Sequence, residues 1–164
     1  MENNLGINDN NLLKDIEYKI TNLKYKMIDE NFTFNEETIF SINFLEKIHI
    51  FLFGDIYPDK YCKIRKEVSH NTRERINKIL EKMNLLYQDF NSKVFSDLLY
   101  KIWQEQIFYD GNTRTLLSFV KVYSIGFGID FDYDFNKDIN EDFFIDKIID
   151  SIEKSGNNNY SKLN

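Results

Sequence analysis

The chain has 164 residues, 42% hydrophobic and 29% charged, enough for one domain with its own core and too short for two. A net charge of −6 and a pI near 5.0 argue against a dedicated nucleic-acid binder, and the composition is neither that of a disordered chain nor of a membrane-embedded one. One proline and six glycines leave little room for a loop-rich or all-β fold.

Residues 1–11 are polar and Asn-rich and read as a flexible N-terminus. In 12–27, Leu13, Ile16, Ile20, Leu23 and Met27 recur three and four apart, the pattern of an amphipathic helix. Thr33 and Glu36 offer a capping box for a helix over 36–52. Its wide apolar face of Ile39, Phe40, Phe44, Leu45, Ile48 and Leu52 predicts a central position. His49 lies on this helix without a nearby Cys or His, so it reads as a packed or surface residue rather than a metal ligand. Gly54 and Pro58 break the helical pattern through 53–65, where Phe53, Ile56 and Tyr57 can anchor a loop.

Asn71 or Thr72 is expected to cap a helix reaching about residue 90, with Ile76, Ile79, Leu80, Met83, Leu86, Tyr87 and Phe90 on one face. The basic run over 63–82 is interleaved with Glu67, Glu74 and Glu81 and reads as a solvated face. A break at Asn91-Ser92 precedes a helix over 92–105 that turns Phe95, Leu98, Leu99, Ile102 and Trp103 inward. A helix over 112–126 follows, lined by Leu116, Val120 and Tyr123 with Phe127 beyond, and stopped by Gly126 and Gly128. The helices over 36–52, 92–105 and 112–126 are expected at the centre. Asp130 to Asp134 alternates acids with aromatics but lacks the glycine and closing glutamate of a calcium loop. Asp138 and Glu141 can cap a last helix carrying Phe144, Ile145, Ile148, Ile149 and Ile152. The expectation is a single all-α domain of about six helices over 12–155, with a flexible tail over 156–164. The lone Cys62, the absence of an apolar leader and the absence of a span-length apolar run predict a cytoplasmic protein.

The stretch with chemical content is Gln106-Ile107-Phe108-Tyr109-Asp110-Gly111-Asn112-Thr113-Arg114, between two predicted helices. A glycine turn feeding a helix N-terminus can wrap its amides around an anion. Arg114 can clamp phosphate oxygens, and Asp110 can hold a divalent cation on them. The same Asp-Gly-Asn sequence also serves as a plain turn and cap.

This stretch resembles a degraded form of the Fic family motif, His-Pro-Phe-x-(Asp/Glu)-Gly-Asn-Gly-Arg. Phe53-Gly54-Asp55-Ile56-Tyr57-Pro58 and then Lys63-Ile64-Arg65 resemble that family's second block, with Asp59-Lys60-Tyr61-Cys62 in place of Trp-Ala-Gly. The resemblance spans roughly residues 40–152. It implies a Fic-like helical domain with a β-hairpin flap after Arg65. The sequence there, Lys66-Glu67-Val68-Ser69-His70-Asn71-Thr72, lacks Gly and Pro, so a short or vestigial flap is expected.

The resemblance also implies a protein adenylyltransferase, moving AMP from ATP, with Mg2+, to a Tyr, Ser or Thr hydroxyl. Gln106 stands where the family has its general-base His. A glutamine amide cannot take that proton, and losing a general base costs typically ~10²–10⁴ in rate. Asp110 matches the Mg2+-binding acid, Gly111 and Asn112 the anion-hole pair, and Arg114 the phosphate-contacting arginine. Thr113 replaces Gly or Lys, and Leu117 stands where a second arginine often lies. His70 would replace the base only if its loop folded toward Gln106. Ser151-Ile152-Glu153-Lys154-Ser155-Gly156 resembles a remnant of the family's inhibitory motif, with Ser155 at the glutamate position.

The expected function is therefore a nucleotide-binding Fic-like domain impaired in AMP transfer. The alternatives are an active transferase with a non-standard base, for which Tyr160 is a candidate self-modification site, and a non-catalytic interaction scaffold. The expected partners are a nucleotide and a protein target or partner, with a homo-oligomer possible and neither nucleic acid nor membrane.

Overall fold

The computed structural model describes residues 2–86 and 89–128. Seven helices follow one another there: α1 (Asn10–Lys26), α2 (Ile28–Asn31), α3 (Ile42–Phe53), α4 (Asp59–Cys62), α5 (His70–Leu85), α6 (Ser92–Gln104) and α7 (Asn112–Phe127). The all-α expectation holds, and α2 and α4 are single turns between the longer helices. No strand occurs among the described residues. Where a short or vestigial hairpin flap was expected, the chain makes one turn closed by the Val68 amide on the Arg65 carbonyl at 3.1 Å. The predicted last helix, the 156–164 tail, Asp130 to Asp134, Ser151 to Gly156 and Tyr160 lie outside the described residues.

Side-chain caps decide where the helices start. Asp9 accepts from the amides of Asn11 and Leu12, Ser69 from Thr72, and Asn91 from Val94. The helix expected from residue 36 begins only at Ile42, because Asn35 folds a turn of its own. Its side chain takes the Glu37 amide at 2.9 Å and its carbonyl takes the amides of Thr38 and Ile39. Ser41 then caps α3 through the Phe44 amide at 3.3 Å. The expected Thr33 and Glu36 box is thus replaced by two shorter-range devices. Residues 3–7 are tied down as well: Asn3 bonds the amides of Leu5 and Ile7, and the Asn4 amide reaches the Ile56 carbonyl at 2.7 Å.

The core is centred on α7. Every residue from Asn112 to Val120 is buried, as are Val122, Tyr123 and Ser124. Helices α2, α3 and α6 pack around it. Large rings fill the space, several of them in edge-on pairs. Phe40 meets Phe119 and Tyr123 at 6.4 and 6.0 Å, and Tyr123 hands its hydroxyl to the Met83 carbonyl. Helix α6, expected to be central, is covered on one side only: Lys93, Val94, Asp97, Tyr100 and Lys101 are exposed.

Helix α1 departs most from its pattern. Its buried row is Leu13, Glu17, Thr21 and Tyr25, while Leu23 and Met27 of the expected apolar face are exposed. A row of four-residue spacing points inward, and half of it is polar. No helix among the described residues is long and apolar enough to cross a membrane.

Candidate functional site

The loop between α6 and α7 is built almost entirely from its own side chains. Gln106 follows the α6 C-cap with φ 46°, the left-handed conformation that usually goes to Gly or Asn. Its amide group is spent locally. Nε2 donates to the Trp103 carbonyl at 2.8 Å, and Oε1 accepts from Asn112 Nδ2 at 3.2 Å. Arg65 caps this helix end by donating to the carbonyls of Gln106 and Glu105, a cation at the negative end of the helix. Asn112 closes the loop on itself, accepting from the Phe108 amide and donating to the Phe108 carbonyl, both at 3.0 Å. Thr113 Oγ1 accepts from the Trp103 indole N–H at 3.1 Å.

Asp110 and Arg114 face a different direction. Asp110 Oδ1 accepts the Gly111 amide at 2.8 Å, and Oδ2 lies 4.0 Å from Arg114 Nη2. Gly111, with φ 78°, opens α7 without a side-chain cap. Arg114 is buried and holds two hydrogen bonds through its guanidinium. Nη2 donates to Glu17 Oε1 at 2.6 Å, and Nη1 donates to Thr21 Oγ1 at 3.2 Å. Its guanidinium lies 4.4 Å from the Tyr18 ring and 4.7 Å from the Phe53 ring. Tyr57 donates its hydroxyl to the other Glu17 oxygen. Burial first, and the Glu17 hydrogen bond and charge next, push the Tyr57 hydroxyl well above its usual range. A cavity of about 280 Å³ opens beside this cluster, with Lys14, Glu17, Tyr18, Tyr57, Asp110 and Arg114 in its walls.

Of the residues singled out in the sequence, the structure therefore brings Asp110 and Arg114 together on one cavity. Gly111, Asn112 and Thr113 are buried and do not line it, and neither does Gln106. Leu117 is wholly buried in the core. His70 pairs with Glu74 on the exposed side of α5, at 3.0 Å. Sequence reasoning missed Glu17, Thr21 and Tyr18. The available signal was the four-residue spacing of Leu13, Glu17, Thr21 and Tyr25, a full helical stripe once polar residues are allowed inside.

His49 supports the loop from below. Its ring lies between those of Phe53 and Phe108, at 4.5 and 4.0 Å, and its two nitrogens face the carbonyls of Cys62 and Asp110 at 2.7 and 2.8 Å. It is a packed residue, as expected, and it bridges the turn after Pro58 to the Asp110 loop. Burial lowers its pKa from 6.5 to about 4, against the two carbonyls, which favour the cation. The unfolded chain then binds a proton between pH 6.5 and 4 that the folded chain refuses. Stability is therefore full above pH 6.5 and falls as pH drops toward 4, by about 3 kcal/mol from this group. Urea unfolding at stepped pH should show that loss in the wild type, and a smaller one in His49→Gln. Cys62 is a buried free thiol pushed up to about 11 by burial, which makes it a poor nucleophile.

No cluster of three or more His, Cys, Asp or Glu side chains able to hold a metal occurs among the described residues. The sequence matches no family model and no curated protein.

Proposed function

We propose that the loop over 110–114 binds the phosphates of a nucleotide, in a Fic-like domain that does not transfer AMP efficiently. The observation that carries this reading is the placement of Arg114 and Asp110 on one cavity, at a helix N-terminus whose first amides are uncommitted. Asn112, Thr113 and Arg114 show no backbone N–H partner among the described residues. Of these elements the Arg114 guanidinium and the Asp110 carboxylate face the cavity, and a guanidinium and a carboxylate beside a helix N-terminus are parts of a phosphate and Mg2+ site. Asp110 alone cannot cage a cation. Its outward Oδ2 suits Mg2+ only where phosphate oxygens complete the shell, which is how Mg2+ is ordinarily held on nucleotides. The bound ion would neutralise phosphate charge. Gln106 argues against efficient transfer, because its amide lacks a usable base and both of its ends are already bonded.

Glu17 occupies the edge of Arg114 that a phosphate would use. Nucleotide binding thus requires this carboxylate to leave, and removing its charge should help. Titrating ATP and Mg2+ by calorimetry is the test. Glu17→Gln should bind about tenfold more tightly than wild type or better. Folded Glu17→Gln protein that shows no binding would overturn the nucleotide reading. Incorporation of labelled AMP by the wild type, or only by Gln106→His, would separate an active transferase from one that lacks just the base.

A second reading, a non-catalytic scaffold, is favoured by one specific feature. Gln106, Asn112, Thr113 and Arg114 each have a partner within the fold, so their roles in folding are sufficient to explain them.

A further inference from the structure

Helix α1 brings more than Glu17 to the cavity beside the 110–114 loop. Asn10, Leu13, Lys14, Glu17 and Tyr18, all on one side of α1, form one of its walls. The wall charges as they stand do not favour an anion. Arg114 is already paired with Glu17, and Asp110 adds a further negative charge. Lys14 is the other cation of the walls, exposed and without an ion pair among the described residues. We propose that Lys14 is a second phosphate-binding cation of this cavity, so that the site takes a nucleoside diphosphate or triphosphate in preference to a monophosphate. Lys14 in this role presupposes the phosphate reading of the cavity and decides which phosphates it accepts.

The two cations stand at different depths. The Arg114 side chain is 9% exposed and meets α1 at Glu17 and Thr21. Lys14 is exposed and leaves α1 three residues before Glu17, ~4.5 Å along the axis. A phosphate that displaces Glu17 from Arg114 lies deep in the cavity and is met there by one guanidinium among two carboxylates. A second phosphate joined to the first continues along α1 toward Lys14. The lysine stem is flexible, and its ammonium is a point charge that serves a phosphate oxygen well. The balance of charge points the same way. With Glu17 displaced but still in the wall, Glu17 and Asp110 outweigh Arg114 alone, and Lys14 restores neutrality. Mg2+ on Asp110 then makes the site cationic, as a polyphosphate requires.

Calorimetry on full-chain Glu17→Gln protein in Mg2+ tests it, with AMP and ADP as the probes. ADP should bind about tenfold more tightly than AMP or better, the size of one charge-assisted contact. Adding Lys14→Met should bring ADP down to the AMP level and leave AMP unchanged, whereas Lys14→Arg should keep the preference. Position 14 is exposed, so the helical circular dichroism should stay the same in each variant. An ADP preference that survives Lys14→Met belongs to Mg2+ and overturns the proposal. Equal weakening of AMP and ADP by Lys14→Met overturns it too, as the mark of a general field rather than a contact. So does a Lys14→Met effect confined to protein that retains Glu17, because Lys14 then only receives the displaced carboxylate three residues along the helix. Equal binding of AMP and ADP at the outset overturns the role of Lys14 and leaves the phosphate reading standing. Glu17→Gln protein that binds neither nucleotide removes the phosphate reading and the role of Lys14 together.

Discussion

Arg114→Ala is expected to lower folding stability by about 3–5 kcal/mol, although the residue belongs to a loop motif that reads as a binding element. The guanidinium is the only cation within bonding distance of Glu17 among the described residues, and Glu17 is buried beside it. Removing it leaves a carboxylate out of water with the Tyr57 hydroxyl as its remaining donor. The stacking of the guanidinium on Tyr18 and Phe53 is lost as well. The cost should shrink when the partner goes too. Glu17→Leu combined with Arg114→Met should be closer to wild type in urea unfolding than Arg114→Ala alone, since two apolar side chains replace an ion pair whose desolvation nearly offsets its attraction. A loss below about 1 kcal/mol for Arg114→Ala would mean the pair is not what fastens α1 to α7. This result also bears on the nucleotide experiment, where Glu17→Gln is the informative variant because Arg114→Ala confounds binding with folding.

The helical class was legible from periodicity alone, and so was the place of α7, whose stretch from Leu116 to Tyr123 is apolar with little interruption. The caps were less legible. Thr33 and Glu36 have the right spacing for a box, yet Asn35 between them makes a stronger local turn, and only the coordinates show that Ser41 takes over. For α1 the apolar period was real, but only Leu13 and Ile20 of it meet the core, and Leu23 and Met27 lie on the surface. What decides the orientation is the buried Arg114, which draws Glu17 and Thr21 inward. Propensity and hydrophobicity act within one segment, whereas this choice depends on a residue about a hundred positions away, so no window on α1 contains it. The motif loop divides along the same line. The turn, the glycine and the start of the helix follow from Asp110-Gly111-Asn112. The reach of Asn112 back to Phe108 and the bridging of Gln106 depend on a left-handed residue at 106, which the sequence does not announce.

Gly111→Ala is expected to cost more than about 3 kcal/mol, and the reason lies on α3. Part of the effect is backbone strain: Gly111 has φ 78°, a conformation that costs an alanine roughly 1–2 kcal/mol. The larger part is contact, because a methyl group built on Gly111 falls 2.3 and 2.4 Å from the Cζ and Cε2 atoms of the Phe53 ring. That ring has no room to withdraw. It is buried, with His49 stacked 4.5 Å away and the Arg114 guanidinium at 4.7 Å. Pushing it would disturb the His49 bridge and the Arg114 site together, which is overpacking in the interior. Gly6→Ala is the control, since Gly6 has φ 69° and nothing near its absent side chain. Urea unfolding should then give Gly6→Ala the strain alone and Gly111→Ala the strain plus the collision. Equal losses in the two variants would show that Phe53 yields, and that the close seating of the 110–114 loop on α3 is not what holds Asp110 and Arg114 on their cavity.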